Sequence, residues 1–487
     1  MSGILQAAMR HGNMIWAIAA GTLHVALAAV ATAHILLNKD DTKSAAGWIG
    51  LVWLAPITGG LLYIILGVNR IQRKALRLRR KTSAPAGPDA DEHHQPPGAI
   101  HSPRYADFLR FADKALKQKF SHCVSIEPLI NGDEAYPAMI EAITRAQKQI
   151  LLASYIFDND EAGRAVAAAL KAAARRGVHA RVLLDGVGVR YSTPTIETEL
   201  RDIPNLELRL FLPAKTPFAL PFVNLRNHRK MLITDSDAAI IGGMNISRGN
   251  LLKKYRHDAI ADITFRVCGP VTDQLARVFE EDWLFSGGRK FRLAQPQPCP
   301  AKPEDNTLCR AVADGPDSDT GRIEWLLLGA IACAQKNITI VTPYFLPGSG
   351  IMNALELAAM RGVGTEIILP GKSNIFGMDW AMEANFPGLL KAGVKIYRTP
   401  APFDHSKLTV VDGLWSFIGS ANWDVRSLRL NFEANLECLG EAFARKLLAV
   451  ATEKKSAARL IKTRHGQRLS LPHQLRNNAF RLLTPYY

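Results

Sequence analysis

The sequence contains two copies of one pattern, and this duplication limits what the chain can fold into more than any other feature. HRKMLITDSDAAIIGGMN at residues 228–245 aligns without a gap with HSKLTVVDGLWSFIGSAN at residues 405–422. Two earlier pairs occur in the same order, KQILLASYIF with KNITIVTPYF and RGVHARVLLDG with RGVGTEIILPG, and the three offsets are 188, 185 and 177 residues. Solenoid repeats have periods of about 20–50 residues, so these offsets indicate the duplication of a whole lobe.

Strand-like and helix-like segments alternate along both halves of the chain. In the first half, ILLASYIF and ARVLLDG predict buried strands, and EAGRAVAAALKAAARRG predicts a helix that ends at Gly177. This alternation predicts an α/β fold of two pseudo-symmetric lobes, each a mixed sheet flanked by helices. We expect the first lobe at residues 105–290 and the second at residues 291–487, after a proline-rich linker at residues 82–104.

Two long stretches near the start of the chain contain no charged residue. Residues 14–37 and 45–68 each cover 24 residues, and as helices of about 36 Å they would cross a hydrocarbon core of about 30 Å. We therefore predict a transmembrane hairpin with a basic flank at residues 1–81. The flank, NRIQRKALRLRRK, holds seven Lys and Arg residues and no acid. The positive-inside rule places it, and the lobes that follow, in the cytoplasm.

A secretory signal peptide is the alternative interpretation of the first stretch. ATA at residues 31–33 resembles a cleavage site for small residues, but the apolar region is too long and its leader carries only Arg10. The six cysteines are scattered without a CxxC pair, which is typical of a reducing compartment and gives no sign of structural zinc.

The net charge of +16 favours a partner that is rich in phosphate, either lipid or nucleic acid. The hairpin favours lipid, so we expect membrane phospholipids as partners and no nucleic acid. The sequence does not indicate an oligomeric state.

The duplicated pattern predicts a phosphate-binding active site. On a strand, side chains at positions i and i+2 share a face, so the His and the Lys of each copy point the same way. Each would oppose the other's positive charge unless an anion lay between them. The repeated positions are His228, Lys230, Asp235, His405, Lys407 and Asp412.

Two such faces brought together would suit phosphodiester transfer without a metal or other cofactor. One imidazole would attack phosphorus and form a phosphohistidine, and the other would act as acid and base. The two lysines would offset charge on the non-bridging oxygens. Asp235 and Asp412 end their strands, and we expect them to brace the turn. The residues alone leave open which histidine is the nucleophile.

Further positions after each copy are candidates for binding phosphate and for orienting the histidines. The candidate phosphate-binding residues, in GGMN and GSAN, are Gly243, Asn245, Ser420 and Asn422. An attacking imidazole needs a carboxylate on its far nitrogen. Asp258 follows His228 by 30 residues and Glu433 follows His405 by 28, so we expect these pairings within each lobe. Asp262 and Glu437 are the second choices.

These residues resemble the paired signature of the phospholipase D superfamily, and more narrowly that of bacterial, membrane-anchored cardiolipin synthases. The likeness includes WLAPITGGLLYIILG, NGDEAYPAMIEAI, NLRNHRK, TPYFLP and GSANWDVRSLRLNFEANLE. It implies two α/β lobes with the site between them, in a multi-pass protein of the bacterial inner membrane. It also implies an enzyme that joins two phosphatidylglycerols into cardiolipin and glycerol. By the same resemblance, His228 is the nucleophile and His405 the acid/base.

The sequence departs from this resemblance on the side expected to bind the acceptor. Gly348 follows TPYFLP where an acid is common, and HSK replaces the commoner HAK. Water or another alcohol therefore stays open as the acceptor, which would make the chain a hydrolase or a different transphosphatidylase. An endonuclease of the same lineage and a non-catalytic membrane scaffold are the remaining alternatives.

Overall fold

The computed structural model of the chain describes residues 2–39, 42–67, 103–213, 225–256, 259–295, 307–316, 320–462, 470–482 and 484. The basic flank at residues 69–81, most of the linker at 82–104 and Asp258 lie outside these ranges. Two compact units are present, residues 1–74 and residues 75–487.

The N-terminal unit contains one long helix followed by a broken one. The long helix is α1 (Ser2–Asn38), of which Ile18–Asn38 is apolar and long enough to cross a membrane. The second apolar stretch forms α2 (Thr42–Leu54), α3 (Pro56–Leu62) and a short π-helical segment, Tyr63–Gly67. Among the described residues of this unit, only α1 therefore has the length of a membrane span.

The second predicted span is thus wrong as one continuous helix, and the cause is local. A residue before a proline is disfavoured in the helical region of backbone space, and Ala55 takes φ −147° and ψ 75° between α2 and α3. The helices of this unit still pack on one another. The ring of His34 hydrogen-bonds to the Tyr63 hydroxyl at 2.8 Å, and Tyr63 is buried with Ala28 and Val52.

The first described elements of the larger unit are α4 (Pro103–Leu116) and β1 (Ser121–Cys123). Both belong to the second lobe. β1 pairs with residues 307–309 near the start of that lobe, and Tyr105 and Phe108 of α4 are buried in its core. The first-lobe range of 105–290 expected from the sequence therefore includes a leading segment that packs on the other lobe.

The first lobe is a seven-stranded mixed sheet flanked by helices, with strand order β2-β9-β7-β6-β3-β4-β5. The strands of this sheet are β2 (Ser125–Ile130), β3 (Gln149–Ser154), β4 (His179–Asp185), β5 (Leu206–Phe211), β6 (Met231–Thr234), β7 (Ala238–Gly242) and β9 (Ile263–Cys268). A further short strand of the lobe, β8 (Ile260–Ala261), lies outside the sheet. The helices of the lobe are α5 (Asn131–Arg145), α6 (Glu161–Arg175), α7 (Glu197–Leu200) and α8 (Val271–Phe285).

The second lobe is a nine-stranded mixed sheet with strand order β1-β10-β19-β17-β16-β11-β13-β14-β20. Besides β1, the strands of this sheet are β10 (Thr307–Asp314), β11 (Asn337–Val341), β13 (Gly364–Pro370), β14 (Lys395–Thr399), β16 (Leu408–Val411), β17 (Trp415–Gly419), β19 (Glu433–Leu439) and β20 (Arg459–Leu460). Three short strands of the lobe lie outside the sheet, β12 (Phe345–Leu346), β15 (Phe403–Asp404) and β18 (Trp423–Asp424). The helices of the lobe are α9 (Arg322–Cys333), α10 (Ser349–Met360), α11 (Met378–Glu383), α12 (Phe386–Ala392), α13 (Val425–Arg429), α14 (Glu441–Ser456) and α15 (Leu471–Arg481).

The two sheets repeat one topology. In each, three parallel strands (β3-β4-β5, and β11-β13-β14) continue through an antiparallel hairpin (β6-β7, and β16-β17) to a third antiparallel strand (β9, and β19). The predicted α/β fold of two pseudo-symmetric lobes is confirmed. Each HxK pattern directly precedes the first strand of a hairpin, β6 or β16, so the duplication puts the two patterns at equivalent places.

Candidate active site

The two histidines are anchored by main-chain hydrogen bonds that cross between the lobes. The amide of His228 donates to the carbonyl of Phe432 at 2.9 Å, and the amide of Phe432 donates to the carbonyl of Arg226 at 2.9 Å. In the other direction, β15 pairs in parallel with β8, and the amide of His405 donates to the carbonyl of Ala261 at 2.7 Å. Each histidine is therefore positioned by the opposite lobe.

A carboxylate of the opposite lobe binds the Nδ1 atom of each imidazole. His228 Nδ1 lies 3.0 Å from both Glu433 oxygens, and His405 Nδ1 lies 2.8 Å from Asp262 Oδ2. Glu433 begins β19 and Asp262 directly precedes β9, so the two carboxylates occupy equivalent positions. Nδ1 is engaged in both rings, so Nε2 is the atom left for a substrate.

This pairing differs from the one that the sequence predicts. Glu433 was expected to orient His405 in its own lobe, but it binds His228. His405 is bound by Asp262, the second choice for His228. Glu437, the second choice for His405, instead accepts a hydrogen bond from Arg310 Nε at 2.6 Å. The reason is geometric, since the strand ends that carry the carboxylates point across the lobe interface rather than back along their own lobe.

Both histidines line one cleft of about 400 Å³ between the lobes. Its wall combines apolar side chains, amides, hydroxyls and charged groups from both lobes. Besides the two histidines, the residues that line it are Tyr155, Ile156, Asp158, Tyr191, Arg226, Asn245, Ser247, Asn250, Ile260, Asp262, Tyr344, Asn374, Ile375, Met378, Phe403, Asn422, Asp424, Arg426, Ser427 and Asn431. The two lobes can therefore contact one ligand in this cleft.

The two lysines are buried beside the histidines. Lys230 Nζ donates to the carbonyl of His228 at 2.7 Å, and Lys407 Nζ donates to that of His405 at 2.5 Å. Burial lowers the pKa of Lys230 to about 7 and that of Lys407 to about 8, although Glu433 and Asp262 oppose this effect. An anion bound between the lysines would favour their charged forms. A bound phosphate, which is negatively charged, would therefore raise the pKa of both lysines.

Burial and the lysines also act on the imidazoles. Burial, followed by Lys230 and Lys407, holds the pKa of His228 well below its usual range, while burial raises the pKa of Glu433. For His405, burial and Lys407 lower the pKa to about 4, against the opposing effect of Asp262. These shifts favour the neutral form of both rings. Neutral imidazole is the form that attacks phosphorus, and a bound phosphodiester would raise the pKa of the ring that acts as acid.

Asp235 and Asp412 lie at the far ends of β6 and β16, away from the imidazoles. The Asp235 carboxylate accepts hydrogen bonds at 2.8 Å from the backbone amides of residues 147, 148 and 149. Asp412 accepts from the amides of residues 335, 336 and 337 at 2.7–2.9 Å. Each aspartate has a positive φ, 50° and 53°. Their hydrogen bonds tie the turn of each hairpin to the start of the neighbouring parallel strand.

The four candidate phosphate-binding positions divide into two groups. Asn245 and Asn422 line the cleft, and the Oδ1 atom of Asn422 is buried with no hydrogen-bond partner among the residues that the structure describes. Ser420 instead donates its hydroxyl to Glu433 Oε2 at 2.5 Å and so supports the carboxylate that holds His228. Gly243 makes room for the other lobe, because a Cβ there would lie 2.8 Å from Lys407 Cδ and 3.1 Å from Asp262 Oδ1.

We expect Gly243→Ala to lower turnover because its methyl group would displace the Lys407 side chain. The contact is with a flexible side chain, so the melting temperature should change little, while kcat should fall about tenfold, as in the loss of a charge-assisted hydrogen bond. The matched control is Gly350→Ala in α10, where a Cβ meets nothing within 4 Å. Equal activity in the two variants would contradict this role of Gly243.

Sequence reasoning missed several residues of the cleft. The ring of Tyr155 meets that of His228 edge-on at 5.3 Å between centroids, and Tyr344 meets His405 in the same way at 6.1 Å. Both tyrosines belong to the repeated strands KQILLASYIF and KNITIVTPYF, so the repeat itself was the available signal. Arg226 and Arg426 also line the cleft. Within the described residues, no group of three or more His, Cys, Asp or Glu side chains could hold a metal ion.

A duplicated α/β lobe that presents one His-x-Lys pattern from each copy to a shared cleft defines the phospholipase D-like class. Comparison with known families agrees with this class. The family model described as "Cardiolipin synthase, PLD-like domain" matches residues 139–283 and 327–453. A second model, "Phospholipase_D-nuclease N-terminal", matches residues 26–67. The chain belongs to the cardiolipin synthase family of phospholipase D-like proteins, and it is an enzyme of this phosphatidyl-transferring class.

Individual relatives extend this result over nearly the whole chain. Cardiolipin synthase 2 of Bacillus cereus is 30% identical over 92% of this chain and 88% of its own. A cardiolipin synthase of Geobacillus thermodenitrificans is 32% identical over 82% of this chain and 80% of its own. Among solved structures, phosphatidylserine synthase from Haemophilus influenzae superposes with a TM-score of 0.60 at 18% identity, over 78% of this chain and 100% of its own. The last comparison shows the shared fold.

Proposed function

We propose that the protein transfers the phosphatidyl group of one phosphatidylglycerol to a second, which yields cardiolipin and glycerol. The observation that carries the proposal is the arrangement of His228 and His405, which line one cleft and are each bound at Nδ1 by a carboxylate. The names of the relatives support cardiolipin as the product. Membrane phospholipids are then the substrates, and the bacterial inner membrane is the place of reaction.

The first step forms a covalent intermediate. Nε2 of neutral His228 attacks phosphorus, a P–N bond forms, and the bond from phosphorus to the headgroup glycerol oxygen breaks. His405, protonated in the complex, gives its proton to that oxygen, and glycerol leaves. Asp262 stabilises the imidazolium of His405 before the transfer, and Glu433 stabilises the positive charge on phosphorylated His228.

The second step reverses these roles on the acceptor. Neutral His405 removes the proton from a glycerol hydroxyl of the second phosphatidylglycerol. The resulting oxygen attacks phosphorus, the P–N bond breaks, and His228 leaves as neutral imidazole. Lys230 and Lys407 offset the charge of the non-bridging oxygens in both steps, together with the amides of Asn245 and Asn422. The two half-reactions together consume and release the same number of protons.

The N-terminal unit supplies the membrane attachment in this proposal. α1 is long enough to span the bilayer, while α2 and α3 complete the hairpin or lie within the interface. The basic sequence at residues 69–81 lies on the cytoplasmic side under the positive-inside rule, which places the two lobes in the cytoplasm. The domain limits follow the sequence, with the membrane unit at 1–81, the linker at 82–104 and the lobes thereafter.

Incubation of the purified full-length protein with vesicles of pure phosphatidylglycerol tests this function. We expect cardiolipin and glycerol in equal amounts, by thin-layer separation of the lipids and assay of the released glycerol. Phosphatidic acid without cardiolipin would instead identify a hydrolase with water as the acceptor. A nuclease assay under the same conditions should show no cleavage above that of a preparation carrying His228→Ala.

A further inference from the structure

The cleft contains two arginines that the two-histidine chemistry does not use. Arg226 lies two residues before His228 in the sequence, and Arg426 lies in the short helix α13 of the other lobe. Both line the cleft. Burial lowers the pKa of both His228 and Arg226, and Arg426 contributes a smaller lowering to each.

Arg226 is a buried cation with an incomplete set of partners. Only 3% of its surface is exposed, and its nearest carboxylate oxygen, Asp185 Oδ1, is 3.8 Å from Nη1. Asp185 is engaged by the backbone, because its two oxygens accept hydrogen bonds from the amides of Val187, Gly188 and Asn227. Among the described residues, Nη2 of Arg226 has no hydrogen-bond partner. Burying a charged group with an unpaired N–H costs free energy, unless an anion pairs with the charge and accepts that hydrogen bond.

Arg426 is the second cation of this set, and its guanidinium is available to a ligand. The buried carboxylate of Asp424 interacts with it electrostatically. The nearby Asp424 caps α13 and accepts the amide hydrogen of Ser427 at 2.7 Å. Arg429, three residues further along the helix, differs in that it pairs with Glu324 at 3.1 Å. In this helix, Arg429 is therefore ion-paired, whereas Arg426 lines the cleft.

The arginine pair breaks the pseudo-symmetry of the site. When the gapless alignment of the two copies is extended by a few residues at each end, Phe403 stands at the position of Arg226 and Gly249 at the position of Arg426. The His and Lys residues, by contrast, occur in both copies. The duplicated residues can bind a phosphate centred between the imidazoles. The unduplicated arginine pair is therefore left to bind a second group of the substrate.

We propose that Arg226 and Arg426 form a second anion subsite, which binds the phosphate of the acceptor phosphatidylglycerol. This inference rests on the proposed function. The donor has one phosphodiester, and that group occupies the space between the imidazoles. The acceptor brings the only other phosphate of the reaction, and guanidinium groups bind phosphate oxygens in a bidentate manner. The subsite therefore selects an alcohol that carries a phosphate over free glycerol or water.

Two reactions of the full-length enzyme, run in one assay, test the subsite. Phosphatidylglycerol vesicles with labelled glycerol report cardiolipin formation, in which the acceptor carries a phosphate, and incorporation of label into phosphatidylglycerol, in which it does not. In Arg426→Gln we expect the ratio of cardiolipin formed to label incorporated to fall about tenfold or more, as for loss of a charged hydrogen bond. Arg226→Lys keeps the positive charge but loses the planar guanidinium that can donate two hydrogen bonds to one phosphate, so it should lower the same ratio.

The matched control is Arg429→Gln in the same helix, and it should keep the ratio of the unmodified enzyme. A parallel fall of both reactions in Arg426→Gln, or an unchanged ratio, would overturn the subsite. Failure of the proposed function would look different, since the unmodified enzyme would then incorporate label and form no cardiolipin. Arg426 is only partly buried, so the variant should fold, and its melting temperature checks this directly.

Discussion

Replacement of either His228 or His405 by alanine should abolish cardiolipin formation. Each imidazole supplies a step that the other cannot supply at the same time, since one bonds to phosphorus while the other moves the proton. We expect kcat to fall by about a thousandfold or more in each single variant. The double variant should be little worse than either single one, because the two groups act as one unit. Initial rates of cardiolipin formation from phosphatidylglycerol provide the measurement.

His179→Ala is the control for these two variants. His179 begins β4 and is exposed, and it does not line the cleft, so its replacement should leave the rate unchanged. Near-normal turnover in either His228→Ala or His405→Ala would contradict the two-histidine mechanism. Because each histidine side chain bonds to the opposite lobe, melting temperatures should accompany the rates, so that loss of fold is distinguished from loss of chemistry.

The second large effect concerns the carboxylates that cross the lobe interface. Glu433→Gln and Asp262→Asn should each lower kcat by about a hundredfold or more, with a smaller effect on KM. The carboxylate accepts the Nδ1 hydrogen and so leaves the Nε2 lone pair for phosphorus or for a proton. An amide at the same place can donate its own N–H to Nδ1, which favours the wrong tautomer. The shape of the molecule is kept, so binding of the lipid is affected less than its conversion.

Glu437→Gln separates this effect from general damage to β19. Glu437 is a buried carboxylate four residues after Glu433 on the same strand, but it pairs with Arg310 and lies outside the cleft. Its replacement should lower the melting temperature and leave kcat of the folded protein near normal. If Glu437→Gln lost kcat as severely as Glu433→Gln, or if Glu433→Gln remained fully active, the cross-lobe orientation of His228 would be refuted.

The duplicated lobes could be predicted from the sequence because the repeat preserves local patterns. Strand-forming runs, the helix that ends at Gly177 and the HxK spacing all depend on near neighbours in the chain. The broken second apolar stretch was also open to prediction. WLAPITGG contains Pro56, and a proline disfavours the helical conformation of the residue before it. The length of the stretch and its lack of charge predict a continuous span only if this local constraint is left out.

The pairing of carboxylates with histidines could not be predicted in the same way. It depends on how the two lobes meet, through the pairing of β8 with β15 and of Asn227 with Phe432, and these residues are far apart in the sequence. Similar spacings of 30 and 28 residues from each histidine to a downstream acid, Asp258 or Glu433, suggest partners within one lobe. Symmetric lobes that face each other can instead exchange side chains at equivalent places, as Glu433 and Asp262 do here.

The structure of the protein with bound vanadate, which imitates phosphate in a five-coordinate state, tests the central claim most directly. The mechanism predicts one vanadate in the cleft, with vanadium bonded to Nε2 of one histidine and Nε2 of the other within hydrogen-bond distance of the opposite apical oxygen. Lys230 and Lys407 should contact its equatorial oxygens. A vanadate bonded to one imidazole while the other lies out of reach of it, or no vanadate bonded to either imidazole, would contradict a single phosphorus centre shared by the two lobes.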